Sequence, residues 1–528
     1  MTSERLLAVR AGKIRTLDPE RPEVDSLAIR AGRILGLGSA EEIHSLVGGS
    51  GEWLDLRPAT VVPGLTDSHI HLIEWALGRT VPDLSRSGAM DQVLASVRDQ
   101  AESVPRETWL EFKGWDPALR PEAGLADLDA ASQGRAVALV AHDLHSGWLN
   151  TEAMRRLGIL ENRSDPPGGA VERDADGRPT GLLKERALDW WYEGRPRPSD
   201  AERRAALLQA QAALHRLGVT AVHSVEAPES FRLLERLELG GELELRVLHH
   251  FPQRFIDTLI ECGIASGFGS ERLRVGGIKY FSDGALGSRT AWMLEPYEDS
   301  EGCGILRLEP QELAADVERA LAAGLSATVH AIGDAAVRMV LDTLESAGSG
   351  GLAIPHRIEH LQCVQRGDLA RAARSGIVAS MQPSHLLTDI RLAEERWGPE
   401  RCRGTMALRS LLRAGTVLAF GSDAPVEEPD PRECFYAALA RRDRSGYPSD
   451  GWFPDERLTG LEVLRGYTEG PAVAAGDADR RGRLSPGHHA DFCAWDIDPA
   501  AAAAEEIPSG KVLATVVGGE VVYRADAD

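Results

Sequence analysis

The sequence predicts an α/β protein: a (β/α)8 TIM-like barrel with a small β-sandwich domain built from both termini and an insertion after the first barrel strand. Three observations predict it. Short apolar runs alternate with amphipathic stretches rich in Ala, Leu and Arg through the middle of the chain, the pattern of parallel βα units. Hairpin-like segments lie at both ends. A stretch near residues 75–200, rich in Pro, Gly, Asp and Trp, interrupts the alternation where an ordinary βα loop takes only a few residues.

The N-terminal segments LLAVRAGKIRTL and SLAIRAGRILGLG each place an Ala-Gly-Lys or Ala-Gly-Arg turn between apolar halves. ADFCAWDID and VLATVVGGEVVYR, with a turn at Gly518-Gly519, repeat that style at the other end. Antiparallel strands at both ends can complete one sheet, so residues 1–60 and 475–528 are expected to form a composite domain and 61–474 the barrel, with the inserted subdomain at about 75–200. Eight runs are candidate barrel strands: VVPGLTDSHIH, VTAVHSVE, LRVLHHF, RVGGIKYFSDG, SATVHAIGD, HRIEHL, IVASMQP and VLAFGSDAP. Between them, AERRAALLQAQAALHRLG and PQELAADVERALAAG have helical spacing and end at a glycine suited to a left-handed C-cap.

A formal charge of −22 at pH 7 sets the surface against nucleic acid and anionic membrane, which carry the same sign. A small molecule is the fitting partner, and a homodimer stays open. The cysteines, Cys262, Cys303, Cys363, Cys402, Cys434 and Cys493, form no C-x-x-C pair and read as reduced thiols. The start lacks the basic-then-apolar pattern of a signal peptide, and no apolar run approaches the roughly 20 residues that span a bilayer. A cytoplasmic location is the expectation.

His69 and His71 in Asp67-Ser68-His69-Ile70-His71 lie two apart on a predicted strand, so both imidazoles face one side. Such a pair suits a divalent metal, although an isolated H-x-H also arises by chance. His330 ends SATVH, His360 ends RIEH and Asp423 ends VLAFGSD, each at the C-terminal end of a predicted strand. That edge is where β/α barrels build active sites. One core histidine satisfied by one hydrogen bond is ordinary; four histidines and an aspartate from four strands at the same edge form a metal-binding pattern.

Only five of the 59 basic residues are lysine, and Lys279 lies inside the apolar run RVGGIKYFSDG. A free ammonium there is costly to desolvate. Two readings stay open. The neutral amine can capture carbon dioxide as a carbamate that bridges two cations, or the ammonium can pair with Asp283 or Glu359.

The ordered set PGLTDSHIH, IKYFSDGALGSRTA, VHAIGDAAV, RIEH, MQPSH and FGSDAPV resembles amidohydrolase family 3 of the amidohydrolase superfamily, the group that contains N-substituted formamide deformylase. The likeness runs from the N-terminal hairpins to RGRLSPGHHADFCAWD and VGGEVVY. It implies two divalent metal ions: His69, His71 and Asp423 on the more buried one, His330 and His360 on the second, and carboxylated Lys279 bridging them. Imidazole and carboxylate-like ligands point to zinc, with manganese, iron or nickel also compatible. Trp115, His145, Asp283, Arg289 and Gln382 lie in family-like segments and are expected to contact substrate. Asp334 and Glu359 are expected to orient neighbouring histidines, with surface ion pairs as the alternative. The sequence departs from the family pattern at Leu144, where relatives commonly have glycine, and at Ser224, where many have an acidic residue.

The implied reaction is cleavage of a non-peptide, amide-like C–N bond of a small molecule through a metal-bridged hydroxide, with Asp423 as the catalytic residue passing the proton to the departing amine. Deamination, lactone hydrolysis or decarboxylation at the same site, and a catalytically silent binding protein, are the alternatives, since fold alone does not fix a reaction.

Overall fold

The computed structural model describes residues 6–48, 51–141, 146–161, 164–166, 169–185 and 187–526. It divides into two compact units, Met1–Trp75 with Leu207–Asp528, and Ala76–Ala206.

In the first unit all eight predicted runs supply strands of one parallel sheet: β1 (Leu65–Ile70), β2 (Val219–Val225), β3 (Arg246–Pro252), β4 (Leu273–Phe281), β5 (Ala327–Ala331), β6 (Arg357–His360), β7 (Val378–Met381) and β8 (Leu418–Phe420). Consecutive strands are hydrogen-bonded neighbours. Beyond β8 the chain returns to β1: Asp423 N donates to His69 O at 2.7 Å and His71 N to Ala424 O at 2.9 Å. The result is a nearly closed barrel whose strands are buried on both faces, which is why they read as continuous apolar runs. The crossover helices follow their amphipathic pattern. Pro310–Ala322 starts on a proline, buries Leu313, Val317 and Ala320 one to two turns apart, and is followed by Gly324 at φ +74°.

The first predicted run holds two strands where the sequence suggested one. Thr60–Pro63 pairs antiparallel with Phe492–Trp495, and only Leu65–Ile70 enters the barrel. The joint is Gly64, where a Cβ would lie 2.3 Å from Thr220 Oγ1, so only glycine lets β1 pass this close to β2.

Thr60–Pro63 belongs to an eight-stranded mixed sheet drawn from both ends of the chain. Leu6–Arg15, Glu23–Arg30, Arg33–Gly38 and Glu52–Asp55 come from one end, and Phe492–Trp495, Val512–Val517 and Glu520–Arg524 from the other. One apolar cluster joins them, with Val9, Ile14 and Leu27 packed with Phe492 and Val516.

The second unit is a five-stranded sheet in the order Gly169–Arg173, Pro179–Glu185, Ser146–Leu149, Val137–Ala141, Leu110–Trp115. Alternate residues of the strand Val137–Ala141 serve two cores, Val137, Leu139 and Ala141 in one, Ala138 and Val140 in the other. Both faces are thus covered. Among the described residues no helix is long and apolar enough to cross a membrane.

Candidate metal centre

The C-terminal ends of β1, β5, β6 and β8 bring the predicted histidines and the aspartate together. Ligand-capable atoms of His69, His360 and Asp423, all buried, lie within 4.8 Å of one another. His69 Nε2 is 3.3 Å and His71 Nε2 3.5 Å from Asp423 Oδ1. The His330 and His360 rings meet edge to face with centroids 4.6 Å apart, and His360 lies 5.2 Å from His69.

Each imidazole is fixed through one nitrogen, which leaves the other for the centre. His69 Nδ1 donates to Glu359, His71 Nδ1 to Val225 O at 2.9 Å, His360 Nδ1 to Gln382 Oε1 at 2.8 Å, and His330 Nε2 to Gly284 O at 3.0 Å. Orienting bonds of this kind set tautomer and direction in metal-binding histidines. Burial pulls the His330 imidazole down to about 3, with Lys279 adding to the effect, and holds His360 well below its ordinary value. Both rings are therefore neutral and carry the lone pair that a cation needs. With one carboxylate beside them, the donor set fits divalent metal.

Two of these residues sit in left-handed backbone, His360 at φ 69° and Asp423 at φ 61°. Non-glycine residues there cost of order 1–3 kcal/mol, a strain that the surroundings must enforce. At Asp423 the enforcement is visible: Asp67 Oδ2 accepts from Ser422 Oγ at 2.6 Å, and Asp67 Oδ1 accepts from Ser422 N at 3.0 Å and His69 N at 3.1 Å. Asp67 thus ties the turn after β8 to β1. Burial pushes the Asp423 carboxyl up, but His69 and His71 outweigh it and hold the group well below the usual carboxylate range.

Beneath the histidines lies a buried charge pair that sequence reasoning missed. Arg357 donates to Glu359 Oε1 at 2.5 Å, Ser380 Oγ at 2.6 Å, Ser68 O at 2.5 Å and His223 Nδ1 at 2.8 Å. Glu359 is fully buried; burial raises its carboxyl, yet Arg357 and His69 bring it well below its ordinary range. The available signal was Arg357 and Glu359 two apart on one strand, opposite charges on the same inward face.

Lys279 is 2% exposed, and burial lowers its amine to about 8 against the pull of Glu359 and Asp423. Its Nζ lies 4.9 Å from the Phe281 ring centroid. Among the described residues it forms no ion pair with Asp283 or Glu359.

The residues expected to touch substrate fall in several places. Asp283 accepts from Trp292 N, Ile332 N and Gly333 N at 2.8–3.1 Å and is 3.4 Å from His330 Nε2; burial pushes its carboxyl up to about 7. Gln382 holds His360. Arg289 is engaged by Asp299 at 2.5 Å. Trp115 is fully buried in the core of the second unit, stacked on Trp148 at 5.8 Å. His145 and Leu144 lie outside the described residues. Glu359 orients a histidine as expected, whereas Asp334 does not: its carboxylate is taken by Leu294 N at 2.9 Å and Gln365 Nε2 at 2.6 Å.

A model described as amidohydrolase family matches residues 52–523. The chain is 32% identical to the protein LONG AFTER FAR-RED 3 of Arabidopsis thaliana, over 98% of this chain and 91% of that one. It is 27% identical to N-substituted formamide deformylase of Arthrobacter pascens over 99% of each. Among solved structures, an uncharacterized metal-dependent hydrolase from Pyrococcus horikoshii superposes with a TM-score of 0.80 at 28% identity, covering 95% of this chain and 99% of that one.

Proposed function

The chain belongs to the amidohydrolase family, metal-dependent hydrolases, and from that premise we propose that it cleaves an amide-like C–N bond of a small molecule. One observation carries the reading: His69 Nε2 and His71 Nε2 face Asp423 Oδ1 at 3.3 and 3.5 Å while their other nitrogens are already bonded. In this reading His69, His71 and Asp423 hold one divalent ion, His330 and His360 hold another, and zinc suits both. When bound, the ions supply Lewis acidity and make water acidic enough to attack near neutral pH.

Lys279 supplies the shared anionic ligand. Its neutral amine attacks the carbon of carbon dioxide, a proton leaves nitrogen, and the product carbamate carries a carboxylate. An amine pulled down to about 8 has a reactive neutral fraction at pH 7 that an ordinary lysine lacks. Asp423, held ionised, accepts the proton of the attacking water and returns it to the departing amine nitrogen. Similarity to a formamide deformylase along the whole chain favours an amide over a lactone.

The test is turnover of N-substituted formamides, N-acyl amines, cyclic imides and lactones by metal-loaded and metal-stripped protein. Amide hydrolysis in the loaded protein alone is the expected result. Turnover confined to lactones, or unaffected by stripping, overturns the reading.

A further inference from the structure

Phe281 ends β4 two residues beyond Lys279, so the two side chains share the inward face of that strand. Its ring is 39% exposed and lies 5.4 Å from the His330 ring, its register partner on β5. A half-open aromatic ring thus forms part of the rim directly above the histidines. The segment after β4 runs out and returns, and its return is pinned there: Arg307 N donates to Ser282 O at 2.9 Å. This places the Arg307 guanidinium over the same ring, with Cζ 5.3 Å from the centroid.

The two arginines of this segment differ in one respect. Arg289 is neutralised by Asp299. Arg307 is exposed and forms no ion pair among the described residues. An aromatic face orients a guanidinium without cancelling its charge. The planar fork matches a carboxylate with two parallel hydrogen bonds, and the ring beside it offers an apolar wall. On a chain with net charge −22, an unpaired cation at the mouth is the local condition under which an anionic substrate can dock.

We propose that Arg307, seated on Phe281, receives a carboxylate carried by the substrate, so that the amides hydrolysed are of the N-acyl amino acid type, an acid group beside an apolar side chain. The inference rests on the amide-hydrolase reading and narrows its substrate class.

The probes are N-acetylleucine and its neutral counterpart N-acetylleucinamide, titrated calorimetrically into metal-loaded wild type, Arg307→Gln and Arg307→Lys. Wild type is expected to bind the carboxylate probe at least fivefold more tightly than the amide. Arg307→Gln loses that preference without changing affinity for N-acetylleucinamide by more than about twofold, and Arg307→Lys restores part of it. Equal affinities in wild type, or no measurable binding of N-acetylleucine, overturn the proposal. So does a preference that survives in Arg307→Gln, since a carboxylate can also reach the metals directly. Turnover of both probes is followed in parallel: discrimination in binding with no hydrolysis of either removes the amide reading and leaves the anion subsite standing.

Discussion

Replacing Arg357 with methionine removes a buried charge while keeping a side chain of similar length. The guanidinium serves Glu359, Ser380, Ser68 and His223. Stripping one partner from a buried ion pair costs about 3–5 kcal/mol, because the remaining charge stays desolvated. Against a typical total of about 5–15 kcal/mol, that loss is visible as a large drop in the urea midpoint. Glu359 can escape the penalty by taking a proton, but a neutral carboxyl no longer holds the His69 Nδ1–H as a charged acceptor. Loss of such an orienting partner weakens metal binding about 10–100-fold, or about 1.4–2.7 kcal/mol. Arg357→Met is therefore expected to show both a lower urea midpoint and weaker zinc binding by competition with a chelator. Arg357→Met/Glu359→Gln, which removes both charges, should recover at least half of the stability loss, though not the zinc affinity. Wild-type zinc affinity in Arg357→Met, or a double variant less stable than the single, would refute the account of a charge pair that holds His69.

Four further outcomes follow from the same geometry. Asp423→Asn should keep the fold, checked by circular dichroism, and lose at least about a hundredfold in kcat on whichever amide is turned over. Gln382→Leu should weaken binding of one metal equivalent about tenfold, read by calorimetry, because His360 loses its acceptor. Lys279→Ala should bind fewer than two metal equivalents by elemental analysis, and acetate supplied with metal should restore a fraction. Lys279 also sets a pH dependence in metal-free protein. Its folded value of about 8 lies below the ordinary 10.5, so the unfolded chain holds more protons between them and stability rises with pH across that window, by about 3 kcal/mol in total. Lys279→Met should lack the rise in urea titrations at pH 8 and pH 10.

The barrel strands were legible because each is buried on both faces and bounded by turn residues, and the ligand candidates because each closes such a run. What escaped depended on contacts made far along the chain. Nothing local marks Gly64 as the point where one apolar run changes sheets, since the reason is Thr220 on the neighbouring strand. Gln382 stood out by likeness to a family, but its bond to His360 appears only when β6 and β7 are side by side. Asp334 looked like a histidine partner; its carboxylate went to Leu294 and Gln365, each about 30 or more residues away. Arg357 and Glu359 made β6 look half polar, when the pair is buried and holds the centre together.

The joint at Gly64 also bears on the order of events in synthesis. Thr60–Pro63 has Phe492–Trp495 as its antiparallel neighbour, so a strand made early waits for one made near the end. The strand that carries His69 and leads into His71 begins at Leu65, directly after Gly64, and inherits that delay. Contacts so distant in sequence form slowly, because a long loop must close before they reward it. On a ribosome, the growing chain therefore exposes His69 and His71 through most of translation, and the centre they belong to is assembled only when the far end of the chain arrives.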